Sequence, residues 1–266
     1  MVFARKPAPV QATYLAYAGT TGMAAMDWRI SDPYLDPPGN GEEDYAEKTV
    51  RLPRTFWCYE PGVEVGEPED APSERNGFVT FGCLNSSAKV NAEVLKIWRR
   101  VLDEVAGSRI VLHWHEGEHR RRVAETLEEG RVEFVGLLPI ERYFEVYGRI
   151  DVALDPFPFC GGTTTCDALW MGVPVVTMAG ATAVSRGGKS ILNNVGCWQW
   201  VAEDVEGYVA RAVKLAGDVA EIARLRRTLR GRMQASPLLD GVGFAHGFEE
   251  ALRAMWGEYC GGTGVH

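Results

Sequence analysis

The sequence predicts an α/β fold, a parallel β-sheet covered on both faces by helices. Three observations carry this. From residue 78 onward, short apolar segments alternate with longer segments of helical periodicity, and repeated strand–helix units of that kind build parallel sheets. The run Gly161-Gly162-Thr163-Thr164-Thr165-Cys166-Asp167-Ala168-Leu169-Trp170 joins a strand-like segment at 150–155 to a helix, and Val173-Pro174-Val175-Val176-Thr177 then reads as the next strand. The 266 residues are 46% hydrophobic and 24% charged, an ordinary globular balance and enough chain for one large or two small domains.

Taken in order, residues 10–30 read as a strand or buried segment with a turn at Gly19-Thr20-Thr21-Gly22. Residues 31–44, rich in Pro, Gly and acid, read as a loop, and 45–53 as a short helix or an extended link. Residues 60–76 carry Pro61, Gly62, Gly66, Pro68 and Pro72 and read as a linker or flexible surface loop. Residues 78–81 are a strand. Residues 91–105 are an amphipathic helix, with Val94, Leu95, Trp98 and Leu102 at helical spacing, Asn91 as N-cap and Glu93 in the first turn. Strands at 109–113 and 132–135 precede helices at 118–128 and 140–148. Residues 150–155 lead through the rigid turn Pro156-Phe157-Pro158-Phe159 into the helix that ends at Met171-Gly172. Further helices are expected at 185–195, 204–216, 218–233 and 243–256, with no internal repeat and no low-complexity tract.

Composition excludes several function classes. A net charge of −8 without a broad basic stripe argues against nucleic acid as a partner. No apolar run is long enough to span a bilayer, and the first residues lack a secretory pattern, so a membrane is not expected as a partner. The six cysteines, at 58, 83, 160, 166, 197 and 260, form no CxxC pair. That spacing predicts reduced thiols in a cytoplasmic protein, and no zinc. His113, His115 and His119 with Glu116 raise a metal reading, but they lie where a strand end runs into a polar loop, and exposed loop residues are the expected account. No metal or cofactor is predicted.

A doubly wound sheet binds ligands beyond the carboxyl ends of its strands. Three loops converge there: 82–89 with Asn85, Ser86 and Lys89; 136–143 with Leu138, Pro139 and Tyr143; and 161–167. The last suits a phosphate, because the leading N–H groups of a helix lack internal partners and its dipole favours negative charge. The same residues admit a structural account, since Thr164 and Asp167 have capping-box spacing and would then only satisfy helix-end donors. Lys89 taken alone also reads as a solvated surface lysine. Together, one lysine, several hydroxyls, an aromatic ring and a carboxylate at one crevice suit a nucleotide diphosphate.

Specific stretches then resemble a known family. Arg5-Lys6-Pro7-Ala8-Pro9-Val10-Gln11, Gly19-Thr20-Thr21-Gly22, MDWRISD at 26–32, LPRTFWCY at 52–59, FGCLNSSAKVN at 81–91, GGTTTCDALWMGVPVVT at 161–177, Ser185-Arg186 and Ser236-Pro237-Leu238 are similar to the catalytic region of the protein O-linked N-acetylglucosamine transferases, glycosyltransferase family 41, bacterial type. The resemblance covers nearly the whole chain in the right order. It implies a two-lobed GT-B fold whose Rossmann-like C-terminal lobe binds the donor, joined to an incomplete N-terminal lobe. Residues 1–59 would be a remnant of that lobe, 60–75 a linker, 76–236 the donor-binding lobe, 237–257 a terminal helix packing back on the N-terminal part, and 258–266 a tail.

The implied activity is inverting transfer of a sugar from a UDP-sugar, UDP-GlcNAc first, to protein Ser or Thr hydroxyls. Lys89 is the implied catalytic residue, stabilising the leaving diphosphate. The implied substrate-binding set is Asn85, Ser86, Lys89, Leu138, Tyr143, Gly162, Thr163, Thr164 and Asp167, with Thr163 and Thr164 on the phosphates, Asp167 on the ribose and Tyr143 by the base. The implied partners are a UDP-sugar donor and a protein or peptide acceptor. Two departures matter. The family's N-terminal-lobe histidines have no counterpart, so a separate chain is expected to supply that lobe and its tetratricopeptide repeats, and this chain alone is expected to turn over poorly. Leu15-Ala16-Tyr17-Ala18 stands where members commonly read Leu-Gly-Tyr-Pro, which adds bulk near the implied sugar pocket. The alternatives are a truncated or inactive nucleotide-binding homologue, or a transferase of another sugar, such as fucose from GDP-fucose or glucose.

Overall fold

A computed structural model describes residues 2–39 and 41–262. Its strands form two sheets in which every pairing is parallel. The smaller sheet contains β1 (Ala12–Thr13), β2 (Trp28–Ser31) and β3 (Lys48–Arg51) in that order. After α1 (Pro72–Asn76) the chain alternates regularly: β4 (Thr80–Cys83), α2 (Ala92–Glu104), β5 (Arg109–His113), α3 (Glu118–Leu127), β6 (Val132–Val135), α4 (Ile140–Val146), β7 (Val152–Leu154), α5 (Thr163–Trp170), β8 (Val175–Met178), α6 (Gly187–Asn194), β9 (Val201–Ala202), α7 (Val205–Ala216), α8 (Val219–Gln234) and α9 (Gly241–Gly262).

The six strands of the larger sheet run β6-β5-β4-β7-β8-β9. Counted from β4 this is 3-2-1-4-5-6, the Rossmann order, and the order reverses between β4 and β7. That reversal opens a crevice above the carboxyl ends of these two strands. All four β4 residues are buried, as are Val175, Val176 and Thr177 of β8, because helices cover both faces of a parallel sheet. Trp98 of α2, Leu169 of α5, Tyr208 of α7 and Leu229 of α8 belong to the same continuous core. Asn91 caps α2, its side chain accepting from Val94 N–H at 3.0 Å. The charged segment at 118–128 forms α3 and buries only Val123 and Leu127.

The small sheet has its own core, in which Ile30 and Leu52 meet Ala251 and Met255 of α9, flanked by Phe244 and Phe248. The inward residues of α9 follow at spacings of three and four, so one stripe of the helix covers the sheet. A buried polar joint ties the two sheets together. Asp32 accepts from the N–H groups of Leu35 and Phe56 and from the Ser190 hydroxyl on α6. Asp36 pairs with Arg29 at 2.8 Å and with Arg186 at 3.4 Å, and Arg186 donates to the Leu35 carbonyl.

Four expectations need correction. Residues 10–30 hold only two short strands, because residues 14–27 run irregularly over the molecule. Residues 45–53 contain a strand, β3, since pairing with β2 at Trp28↔Lys48 through Ser31↔Arg51 outweighs its weak local pattern. The segment at 60–76 runs irregularly into α1 but is not loose. Arg226 donates to the Glu69, Tyr147 and Ile150 carbonyls, Arg230 donates to the Gly66 carbonyl, and Ala71 is fully buried. Helix α9 runs on to Gly262, so residues 258–262 are helical rather than tail, and residues 263–266 lie outside the described ones.

Candidate functional site

The loops after β4 and β7 meet at the reversal point, and a short polar network binds them. Lys89, half-buried after a 3-10 turn, donates to the Cys160 carbonyl at 2.9 Å and to Asn85 Oδ1 at 3.3 Å, and its ammonium lies 4.4 Å from the centre of the Phe159 ring. The same Asn85 oxygen accepts from Thr164 Oγ1 at 2.8 Å. A solvated surface lysine is therefore the wrong description of Lys89. Three groups hold its charge at the start of α5.

Thr164 and Asp167 do not form a capping box. Helix α5 starts after Gly162 with no side-chain cap, Thr164 turns to Asn85, and Asp167 accepts from the Tyr59 hydroxyl at 2.7 Å and the Tyr143 hydroxyl at 2.9 Å. The leading N–H groups of this first turn therefore have no side-chain acceptor, the arrangement that favours an anion. Asp167 is 5% exposed. Burial raises its carboxyl above the ordinary value, against the lowering effect of the two tyrosine bonds. Burial likewise raises the phenols of Tyr59 and Tyr143, with the Asp167 charge adding to it.

The predicted residues gather at one end of the sheet but divide between two cavities. Lys89, Gly162 and Thr163 line a cavity of about 530 Å³ together with Leu15, Ala16 and Ala18 from the N-terminal part and Trp57. Ser86, Leu138, Tyr143, Thr164 and Asp167 line a second, of about 470 Å³, with His113 and Trp114. Asn85 joins the two sides through its bonds to Lys89 and Thr164. Tyr143 meets His113 edge-on with ring centres 5.8 Å apart, and burial lowers the His113 imidazole below its usual value, with neighbouring His115 adding to that. His115 and His119 are exposed, and among the described residues no group of three His, Cys, Asp or Glu side chains is placed to hold a metal ion.

Close packing explains the glycines. A Cβ on Gly162 would lie 2.7 Å from the Trp57 ring, and one on Gly161 would lie 2.8 Å from Thr164 Oγ1 and 2.9 Å from Asp155 Oδ1. Leu15 and Ala16 adopt left-handed backbone conformations at φ 61° and 40°, which non-glycine residues seldom do. Ala16 and Ala18 both line the cavity wall, where Ala16 adds a methyl group relative to glycine and Ala18 is smaller than proline.

Several site residues were not singled out for the site from the sequence. Tyr59 reaches Asp167 across 108 residues, and no local pattern announces such a contact. Asp155 is 2% exposed and accepts from the Gly161 N–H and the Thr177 hydroxyl, both at 2.7 Å. An acid directly after an apolar strand was its available signal. Trp57 forms cavity wall, and Phe159 adds a ring face beside the Lys89 ammonium.

Known proteins share this sequence pattern and fold. The sequence pattern of glycosyl transferase family 41 matches residues 1–61 and 70–248. A probable UDP-N-acetylglucosamine–peptide N-acetylglucosaminyltransferase SPINDLY of Solanum lycopersicum is 42% identical over 266 residues, covering 97% of this chain and 28% of the relative. A solved K341M mutant of Thermobaculum terrenum O-GlcNAc transferase superposes with a TM-score of 0.87 at 35% identity, over 98% of this chain and 51% of that one. WaaG, a glycosyltransferase of lipopolysaccharide biosynthesis, shares the fold at a TM-score of 0.55 and 13% identity, over 86% of this chain and 64% of that one. The chain thus spans about a quarter of the curated relative and half of the solved one. With a parallel sheet in Rossmann order and a GT-B neighbour along nearly its whole length, the chain belongs to glycosyl transferase family 41.

Proposed function

We propose that this chain forms the donor-binding part of an inverting protein O-glycosyltransferase, taking a UDP-sugar, UDP-N-acetylglucosamine first, and passing the sugar to Ser or Thr hydroxyls of a protein or peptide. The observation that supports it most is Lys89, held 2.9 Å from the Cys160 carbonyl beside the uncapped first turn of α5 and lining an open cavity. In this reading the diphosphate lies against Lys89, Thr163 and Thr164, and the ribose and base extend past Asp167 into the cavity of Tyr143, Leu138 and Ser86. The acceptor oxygen bonds to the anomeric carbon as that carbon's bond to the diphosphate oxygen breaks. The electron pair leaves on the diphosphate, and the acceptor's proton passes to solvent. A fixed ammonium and fixed N–H groups stabilise the growing charge without reorganising. An N-terminal lobe and tetratricopeptide repeats, in the same polypeptide or in another, would complete the acceptor side.

Ala16 favours a second reading. It stands on the wall of the Lys89 cavity with a methyl group where glycine has none, and a narrower pocket suits a donor sugar without the N-acetyl group, such as fucose on GDP or glucose on UDP. Calorimetric titration with UDP, GDP, UDP-N-acetylglucosamine and GDP-fucose tests both. Saturable binding of UDP and its GlcNAc conjugate supports the first reading, and preference for GDP over UDP supports the fucose reading. No heat with any nucleotide overturns both.

A further inference from the structure

The buried carboxylate behind the anion site is not explained by contact with any ligand. Asp155 follows β7 directly, at the point where the sheet order reverses. One oxygen accepts from Gly161 N–H and the other from Thr177 Oγ1 on β8. Neither oxygen has spare room. A Cβ on Gly161 would come within 2.9 Å of the first, and one on Gly188, at the start of α6, within 2.7 Å of the second. The Asp155 backbone is fixed as well, its N–H donating to the Val176 carbonyl and its carbonyl accepting from Tyr208 of α7 at 3.0 Å.

The turn that this carboxylate clamps carries both halves of the candidate anion site. On one side of Gly161 is Cys160, whose carbonyl holds Lys89. On the other is Gly162, which opens α5. We propose that Asp155 is the positioning residue of the nucleotide-diphosphate site, fixing the Cys160–Gly162 turn so that the Lys89 ammonium and the α5 N-terminus face one cavity. This rests on the donor-binding reading above and adds to it a residue that touches no donor atom.

The arrangement has a chemical consequence. A diphosphate arriving over this turn adds negative charge close to a buried carboxylate, so donor binding favours the protonated form of Asp155. Burial already holds that group up at about 6. The titratable and charged neighbours are few. Lys89 favours the ionised carboxylate, while the thiols of Cys83 and Cys160 and the phenol of Tyr208, all raised by burial, remain neutral in this range. Affinity for a donor therefore rises as pH falls from 7.5 toward 6, with proton uptake on binding.

UDP-N-acetylglucosamine is the probe, because its diphosphate is esterified at both ends and does not itself titrate there. Binding is measured calorimetrically in buffers of different ionisation enthalpy, for wild type, Asp155→Ala, Asp155→Asn and Lys89→Ala with Asp155→Ala. Asp155→Ala should weaken binding by about tenfold or more, the effect of losing a charge-assisted contact. The double variant should lose little beyond Lys89→Ala, since both substitutions disable one unit. Asp155→Asn keeps an acceptor for Gly161 N–H and a partner for Thr177, so it should restore affinity while abolishing proton uptake. His113 and Asp167 remain in every variant, so uptake lost in Asp155→Asn belongs to Asp155. Asp155→Ala bound as tightly as wild type, or Asp155→Asn with undiminished uptake, overturns the assignment and leaves the donor reading intact. Wild type that binds no nucleotide overturns the donor reading itself.

Discussion

The Tyr59 hydroxyl donates to Asp167 Oδ1 at 2.7 Å, joining the last residue before the irregular connecting segment to the helix that opens the anion site. Tyr143 takes the other oxygen. The carboxylate is thereby fixed by two phenols, one on each oxygen. Tyr59→Phe removes one partner and leaves a buried charged oxygen unsatisfied. The expected cost is about 1.5–3 kcal/mol of unfolding free energy. Urea denaturation measures it, and unchanged stability would show that Asp167 finds another donor.

Lys89→Ala should weaken binding of a nucleotide diphosphate by about 1.5–3 kcal/mol, the usual range for a hydrogen bond to a charged group. Stability should hardly change, because the lysine is half-buried and itself lines the open cavity. A fallen melting temperature with unchanged affinity would make the residue structural.

Gly162→Ala places a methyl group 2.7 Å from the Trp57 ring. Overpacking of this kind costs about 1–3 kcal/mol. The displaced indole also moves into the Lys89 cavity, so nucleotide affinity should fall together with stability. Adding Trp57→Ala relieves the clash and should recover stability. Equal melting temperatures for wild type and Gly162→Ala would show that Trp57 yields freely.

Asp155 gives stability a pH dependence of a definite sign. Its folded carboxyl is raised from 3.8 to about 6, so between those values the native state holds a proton that the unfolded chain has released. Stability from this group is full below pH 3.8 and is lost as pH rises through 6. Asp155→Asn removes the titration, so its stability should gain on wild type as pH climbs across this window. Denaturation midpoints of the two proteins that run parallel from pH 4 to 7 would contradict this.

Replacing Arg226 tests the connecting segment. Its guanidinium serves the carbonyls of Glu69, Tyr147 and Ile150 while 1% exposed. Arg226→Ala strands three acceptors and should cost about 3–5 kcal/mol, as removal of one side of a buried charged contact does. Proteolysis should then cut within residues 60–71, and resistance there would show that the segment holds without the arginine.

Most of the large sheet was legible because its strands are short segments between helices of clear periodicity, as with Phe81 before the Val94 and Trp98 stripe. The edge strand β9, only Val201–Ala202, was not expected, because two residues show no alternation. The small sheet was less so. Ala12–Thr13 is too short to show alternation, and Lys48–Arg51 is strand only because β2 lies beside it. The loop positions of Lys89, Asn85 and Thr164 followed from the strand ends. Their mutual bonds did not, since no spacing in sequence says that Thr164 will turn toward residue 85 rather than cap its own helix. Tyr59 and Asp155 were hidden for the same reason. Their roles exist only once distant segments are packed together.

The joint of Asp32, Asp36, Arg29, Arg186 and Ser190 bears on how a ligand is admitted. These groups are buried and paired with one another, so sliding the small sheet against α6 would break several buried charge contacts at once. The Leu15–Ala18 wall and the Lys89 wall of the cavity are consequently the jaws of a gauge set to one opening. In the proposed reading, a donor sugar would be sorted by whether it passes between them.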